Sequence, residues 1–175
     1  MSNFADLVQM RRSIRKFTEE ELKPEELQTI LRAALMSPTS KSSRSWHFVV
    51  VDEKPLLEKL ALCKEAGAAF VADAPLAVVV LGDTAATDVW VEDASIAAVT
   101  MQYQATELGL GSCWAQVRNR EMADGTPADD VLRFILGYPQ NLIALAIIAF
   151  GHPAIERKPQ DEDKLKWENV HVNKF

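Results

Sequence analysis

The sequence predicts a single domain of mixed α and β structure, an α+β or α/β sandwich with helices covering a sheet. Three observations carry that expectation. Helical patterns come first in the chain, and strand-like runs alternate with helices after them. Residues 76–81 and 142–150 are continuous apolar runs, as strands covered on both faces require. The 175 residues suit one substantial core, and no internal repeat or low-complexity tract divides them.

Residues 3–10 read as a short helix with Phe4, Leu7 and Val8 on one face and Asn3 or Ser2 as its cap. A basic segment, Arg11-Arg12-Ser13-Ile14-Arg15-Lys16-Phe17, follows. Pro24 opens a second helix, with Glu25 and Glu26 at the favourable end of its dipole. Leu27, Ile30, Leu31, Ala34 and Leu35 give that helix an apolar stripe, and Pro38 stops it. A polar loop covers 39–45. Residues 46–51, aromatic and β-branched, read as a strand. Helices are expected over 55–62 and, more briefly, near 66–72, before the buried strand at 76–81. The longest helix spans 91–108. Its middle is apolar or small nearly all round, which predicts burial on most sides. Gly109 and Gly111 end it, and a strand at 112–116, a helix at 127–136 and the second buried strand at 142–150 follow. Residues 151–175 are polar, proline-containing and weakly periodic, so an extended arm is expected. Val170, Val172 and Phe175 are apolar residues in that arm, and a second subunit is one surface they can cover.

A formal net charge of -6 argues against non-specific nucleic-acid binding, which needs a basic field, but not against a local basic pocket. Two cysteines, Cys63 and Cys113, without CxxC spacing argue against a disulfide framework or a thiolate zinc site. The N-terminal residues lack a basic stretch followed by an apolar run, and the longest apolar run falls short of the roughly 20 residues of a membrane span. No membrane partner is expected, and the expected location is the cytoplasm.

The strongest chemical signal is Arg11-Arg12-Ser13-Ile14-Arg15. Three guanidiniums and a hydroxyl within five residues suit a phosphate, because arginine makes bidentate, charge-assisted bonds to phosphate oxygens. The competing reading is a solvated basic helix end. Residues 37–46, Ser-Pro-Thr-Ser-Lys-Ser-Ser-Arg-Ser-Trp, supply a second signal: a loop dense in hydroxyls and basic groups that feeds a strand. Its competing reading is a solvent-exposed connection. Neither a dinucleotide fingerprint, nor a P-loop, nor a GxSxG elbow is present, and His47, His152 and His171 lack metal-ligand spacing. Cys113, in an apolar strand without a nearby base, reads as a core residue. Anion-binding groups without an evident acid, base or nucleophile point to a cofactor that carries the chemistry.

In four segments the chain resembles the nitroreductase family of FMN enzymes. Arg11 to Phe17 is similar to its RRSxRxF signature, and Ser37-Pro38-Thr39 through Trp46-His47-Phe48 to its A-P-S…W-x-F loop and strand. Asp93 through Gly109-Leu110-Gly111-Ser112-Cys113-Trp114 resembles the central helix and GLG turn. Gly151-His152-Pro153 and His171-Val172-Asn173-Lys174-Phe175 resemble the C-terminal segments. The resemblance implies an α+β three-layer sandwich, a central mostly antiparallel sheet flanked by helices, as one FMN-binding domain over 1–175 with 151–175 a subunit-wrapping arm of a homodimer. Arg11, Arg12, Ser13 and Arg15 would hold the FMN phosphate and ribityl chain. Pro38, Thr39, Ser40 and Ser42 would lie along the flavin ring. Gly151, His152 and either Arg157 or Lys158 would close the phosphate end. The implied activity is ping-pong electron transfer from NAD(P)H to a small-molecule acceptor, a nitroaromatic or quinone, with no catalytic side chain. Dehalogenation, ene reduction, flavin destruction or non-catalytic flavin binding are the alternatives on the same fold. Ser42 stands where the family commonly has Asn, and Arg44-Ser45 where Gln-Pro is common. Arg44 is therefore a candidate substrate contact that would favour anionic acceptors.

Overall fold

A computed structural model of the chain describes residues 3–175. The first helix, α1 (Phe4–Met10), starts at a reciprocal cap: the Asp6 amide donates to Asn3 Oδ1 at 3.0 Å, and the Asn3 amide to Asp6 Oδ2 at 3.2 Å. Asn3 is thus the cap, and Ser2 lies outside the described residues. Helix α2 (Pro24–Leu35) has proline in its first turn, and the Lys23 amide donates to Glu26 Oε2 at 2.8 Å. Next come β1 (Trp46–Val51), α3 (Lys54–Ala61), β2 (Leu76–Asp83), α4 (Trp90–Glu107), β3 (Gly111–Gln116), α5 (Ala128–Leu136) and β4 (Leu142–Gly151). The short helix expected near 66–72 is a single 3-10 turn, Ala69–Val71. Gly137 ends α5 in the left-handed region, φ 73°, and donates its amide to the Arg133 carbonyl.

The four strands form one sheet in the order β1-β2-β4-β3, antiparallel throughout. The fold is α+β. Its two central strands, β2 and β4, are the two continuous apolar runs of the sequence, buried along almost their whole length. Two cores explain why. Val79, Leu81, Ala115, Val117 and Ile147 pack beneath α3 and α5, with Leu57, Leu60 and Leu132. Trp46, Val78, Val80, Ile148 and Phe150 pack on the other face beneath α2 and α4, with Ile30, Ala94, Ala98 and Met101. Side chains alternate across the sheet, so a strand apolar at every position has both faces covered.

Helix α4 is covered on most sides, as its small and apolar middle predicts, and keeps one open stripe. It buries Asp93, Ala94, Ala97, Ala98, Met101, Gln102 and Ala105, but Ile96 and Val99 stay 37% exposed. Within one chain the cover comes from α1, α2 and the sheet, and the stripe of Ile96 and Val99 stays open. Every residue of 156–175 is also exposed, including Trp167, Val170, Val172 and Phe175.

Gly82, in β2, is required by close packing. A Cβ there would lie 2.3 Å from Trp90 Cε3 and 3.1 Å from Trp90 Cβ, so the indole would have to move bodily. Gly82→Ala is expected to cost about 1–3 kcal/mol, the usual scale of overpacking, seen as a lower urea midpoint.

Candidate functional site

The basic segment after α1 runs along one end of the sheet. The Ile14 amide donates to the Ser112 carbonyl at 2.9 Å, the Thr18 amide to the His152 carbonyl at 2.9 Å, and the Ala154 amide to the Lys16 carbonyl at 3.0 Å. Two glycines permit this approach. A Cβ on Gly111 would sit 2.8 Å from Ile14, and one on Gly151 would sit 2.7 Å from Pro75 and 2.8 Å from Phe17. Gly151 therefore serves this end of the molecule by admitting Phe17.

Alternation along the extended segment divides its side chains. Ile14 is buried against Gly111. Arg11, Ser13 and Arg15 lie toward Cys113, whose thiol is pushed up by burial while Arg15, Ser13 and Arg11 pull it the other way. Arg11 and Ser13 are half-buried and Arg15 is exposed. Among the described residues, none of these arginines is in an ion pair. Arg12 is committed differently: its Nη1 donates to the Lys158 carbonyl and, at 3.3 Å, to the Pro159 carbonyl. It clamps the arm to α1, assisted by the Gln160 amide, which donates to the Gln9 carbonyl at 2.8 Å. Lys158, together with Arg11, Arg12 and Tyr103, lines a cavity of about 960 Å³ between α1 and the arm; Arg157, exposed, is not in its wall. His152 Nε2 is buried without a hydrogen-bond partner, 3.6 Å from Glu20 Oε1. The structure thus gathers Arg11, Ser13, Arg15, Gly151, His152 and Lys158 at one end of the sheet.

The second candidate segment occupies the other end. Ser45 precedes β1, and its carbonyl accepts the Asp83 amide at 2.7 Å. The loop before it contains three non-glycine residues in the left-handed region: Lys41 (φ 50°), Ser42 (φ 56°) and Arg44 (φ 49°). Each such residue costs on the order of 1–2 kcal/mol, so the surrounding structure must impose the shape. Thr39 Oγ1 accepts the Arg44 amide at 3.0 Å. Asp93, in the first turn of α4, accepts the Ser40 amide at 2.8 Å, the Ser43 hydroxyl at 2.9 Å and the Ser45 hydroxyl at 3.3 Å. Pro38, Ser42 and Arg44 are exposed, Thr39 and Ser40 half-buried. Asp93 is the member that sequence reasoning missed as a site residue; its signal is an acid directly before the small and apolar run of residues 94–99. Because the loop's left-handed residues carry side chains, Arg44→Gly is expected to raise stability by up to about 1 kcal/mol, measured by denaturant unfolding.

These two candidate segments are far apart in one chain. Asp83, beside the loop, pairs with Leu142, while Ser112, beside the arginines, pairs with Phe150. Those positions are eight residues apart along β4, about 25 Å at strand rise.

The model of the nitroreductase family matches residues 8–67 and 57–152 of the chain. The chain belongs to the nitroreductase family. Among solved structures, a protein from Clostridium difficile R20291 named FMN-dependent nitroreductase is 44% identical, with a TM-score of 0.96 over 98% of this chain and 100% of that one. A protein of Methanothermobacter thermautotrophicus named NADH dehydrogenase/NAD(P)H nitroreductase is 33% identical over 97% of this chain and 86% of its own length. One of the same name from Archaeoglobus fulgidus is 29% identical over the whole of both chains.

Proposed function

We propose that the chain is an FMN-dependent oxidoreductase that passes electrons from NAD(P)H to a nitroaromatic, quinone or similar small acceptor, acting in the cytoplasm as a homodimer. The observation that carries the reading is the separation of the half-sites. The arginine end and the loop end of one chain lie about 25 Å apart along the sheet, at strand rise. A second copy that brings its loop to the first copy's arginines builds one complete site from two chains, and two such sites per dimer. The open stripe of Ile96 and Val99 on α4 and the exposed apolar residues of the arm supply surface for that assembly.

The residues present fit FMN. Arg11, Ser13 and Arg15 are a donor set whose arginines are in no ion pair among the described residues, suited to a phosphate, and Lys158 adds a cation in the wall of the cavity that Arg11 also lines. Asp93 takes the Ser40 amide and the Ser43 and Ser45 hydroxyls, which leaves the Ser40 and Ser42 hydroxyls for a ligand. The chemistry FMN supplies when bound is electron transfer in two half-reactions, first from NAD(P)H and then, once the nicotinamide has left, to the acceptor. The protein's part is to bind, orient and tune. No side chain of either half-site needs to act as acid or base.

The visible spectrum of the purified protein tests the cofactor. Flavin bands that are lost on denaturation with release of FMN are expected; a colourless protein that takes up no FMN overturns the reading. NAD(P)H oxidation dependent on an added nitroaromatic or quinone then separates an enzyme from a passive flavin carrier.

Arg44 carries the specificity prediction. It is exposed on the loop, and one charge pair at such a position is worth roughly 0.5–1 kcal/mol. The expected bias toward a carboxylate-bearing acceptor is a few-fold in kcat/KM. Nitrobenzoate and nitrobenzamide compared in wild type and Arg44→Gln measure it, and an identical ratio in both proteins removes Arg44 from the site.

A further inference from the structure

We propose that Asp93 is the positioning residue of the flavin-facing loop: its buried carboxylate holds residues 39–45 in the strained shape that presents the Ser40 and Ser42 hydroxyls to the ligand. The ligand half of this proposal rests on the FMN reading above.

Asp93 is 3% exposed, and none of the ion pairs among the described residues includes it. A buried carboxylate without a cation must be satisfied by hydrogen bonds. Asp93 is the fourth residue of α4, beyond the N-cap Val89, and the hydrogen bonds its carboxylate accepts come from the loop rather than from its own helix. They come from residues 48 to 53 positions earlier in the chain: Ser40 N–H at 2.8 Å to Oδ1, then Ser43 Oγ at 2.9 Å and Ser45 Oγ at 3.3 Å to Oδ2. The positive end of the α4 dipole favours the negative charge. The carboxylate and the loop therefore satisfy each other.

The pattern of bonds is selective. Asp93 binds at positions 40, 43 and 45 and so brackets the left-handed residues Lys41, Ser42 and Arg44. A side chain in that region relaxes unless its neighbours are held, and these are the neighbours held. Turning the Ser43 and Ser45 hydroxyls inward to Asp93 leaves the alternate hydroxyls, Ser40 and Ser42, for the outside. The two faces of a four-serine loop are sorted by one carboxylate. Asp93 acts through the loop and does not itself meet the flavin.

The test uses the full-length protein, first stripped of FMN and then titrated with it. In the stripped protein, hydrogen exchange of the amides at 40–44 is expected to rise at least tenfold in Asp93→Ala, with α4 and the sheet unchanged. On titration, that variant is expected to bind FMN at least tenfold more weakly and to shift the visible band of the bound flavin. Asp93→Asn keeps an acceptor for the Ser40 amide and offers its NH₂ to a serine hydroxyl, so it is expected to restore most of the loop protection. If Asp93→Ala does not fold, Ser43→Ala/Ser45→Ala removes two of the three bonds without touching the helix and is expected to show the same signs in weaker form. Unchanged loop exchange overturns the anchoring role. Faster loop exchange with unchanged FMN affinity and spectrum overturns the link to the ligand. A wild-type protein that binds no FMN overturns the flavin reading and the ligand half with it, while exchange in the stripped protein still decides the anchoring.

Discussion

Arg11→Ala/Arg15→Ala is expected to weaken FMN binding more than a hundredfold. Hydrogen bonds to charged groups contribute about 1.5–3 kcal/mol each, so two at the lower end amount to about 3 kcal/mol. The lower end applies because Arg15 is exposed and screened, and Arg11 only half-buried. Fluorescence titration of the stripped protein with FMN measures it, and riboflavin, which lacks the phosphate, provides the control. The variant and wild type are expected to bind riboflavin alike. An unchanged FMN affinity removes the arginines from the phosphate site. Arg12→Ala is expected to behave differently, since its guanidinium is engaged with the carbonyls of Lys158 and Pro159. Its main effect should be loss of amide protection at Gln160, with a smaller loss of FMN affinity.

The second large effect is complementation between two defective chains. One carries Arg11→Ala/Arg15→Ala with an intact loop; the other has intact arginines and Ser40→Ala/Ser42→Ala. Each homodimer is expected to retain little FMN. If a site takes its arginines from one copy and its loop from the other, a mixed dimer contains one wild-type site and one doubly defective site. FMN content should therefore rise from near none to about half of the wild-type value per dimer, by the counting of sites in a two-fold assembly. If both half-sites served one flavin within a single chain, mixing would restore nothing. Sedimentation of the loaded protein gives an independent check: a flavin-loaded monomer contradicts the proposal outright.

Much of the fold was legible because the sequence signals were local and redundant. Pro24 with Glu25 and Glu26 started α2 where expected, and the apolar runs at 76–81 and 142–150 became the two central strands. Antiparallel pairing was not legible from those runs, since a strand covered on both faces reads the same whichever way its neighbours point. The arginine cluster was visible as composition, but its division was not. Only the extended path past Ser112 and His152 shows that Arg12 faces the arm while Arg11, Ser13 and Arg15 face Cys113. Asp93 was not legible as a site residue, because its partners lie about fifty residues away, beyond any local pattern.

The sequence by itself determined the element order, the two strands that carry both cores, the basic segment, the hydroxyl-rich loop and the family resemblance. Those properties reside in short windows, where periodicity, turn chemistry and residue type act over one or two helical turns. The tertiary structure alone decided that the arginines and the loop stand at opposite ends of the sheet, that Gly111 and Gly151 admit Ile14 and Phe17, and that one buried carboxylate holds the loop. Those are contacts between distant segments, decided by how the antiparallel strands register and by where each helix finds cover, and neither is set until the whole chain packs.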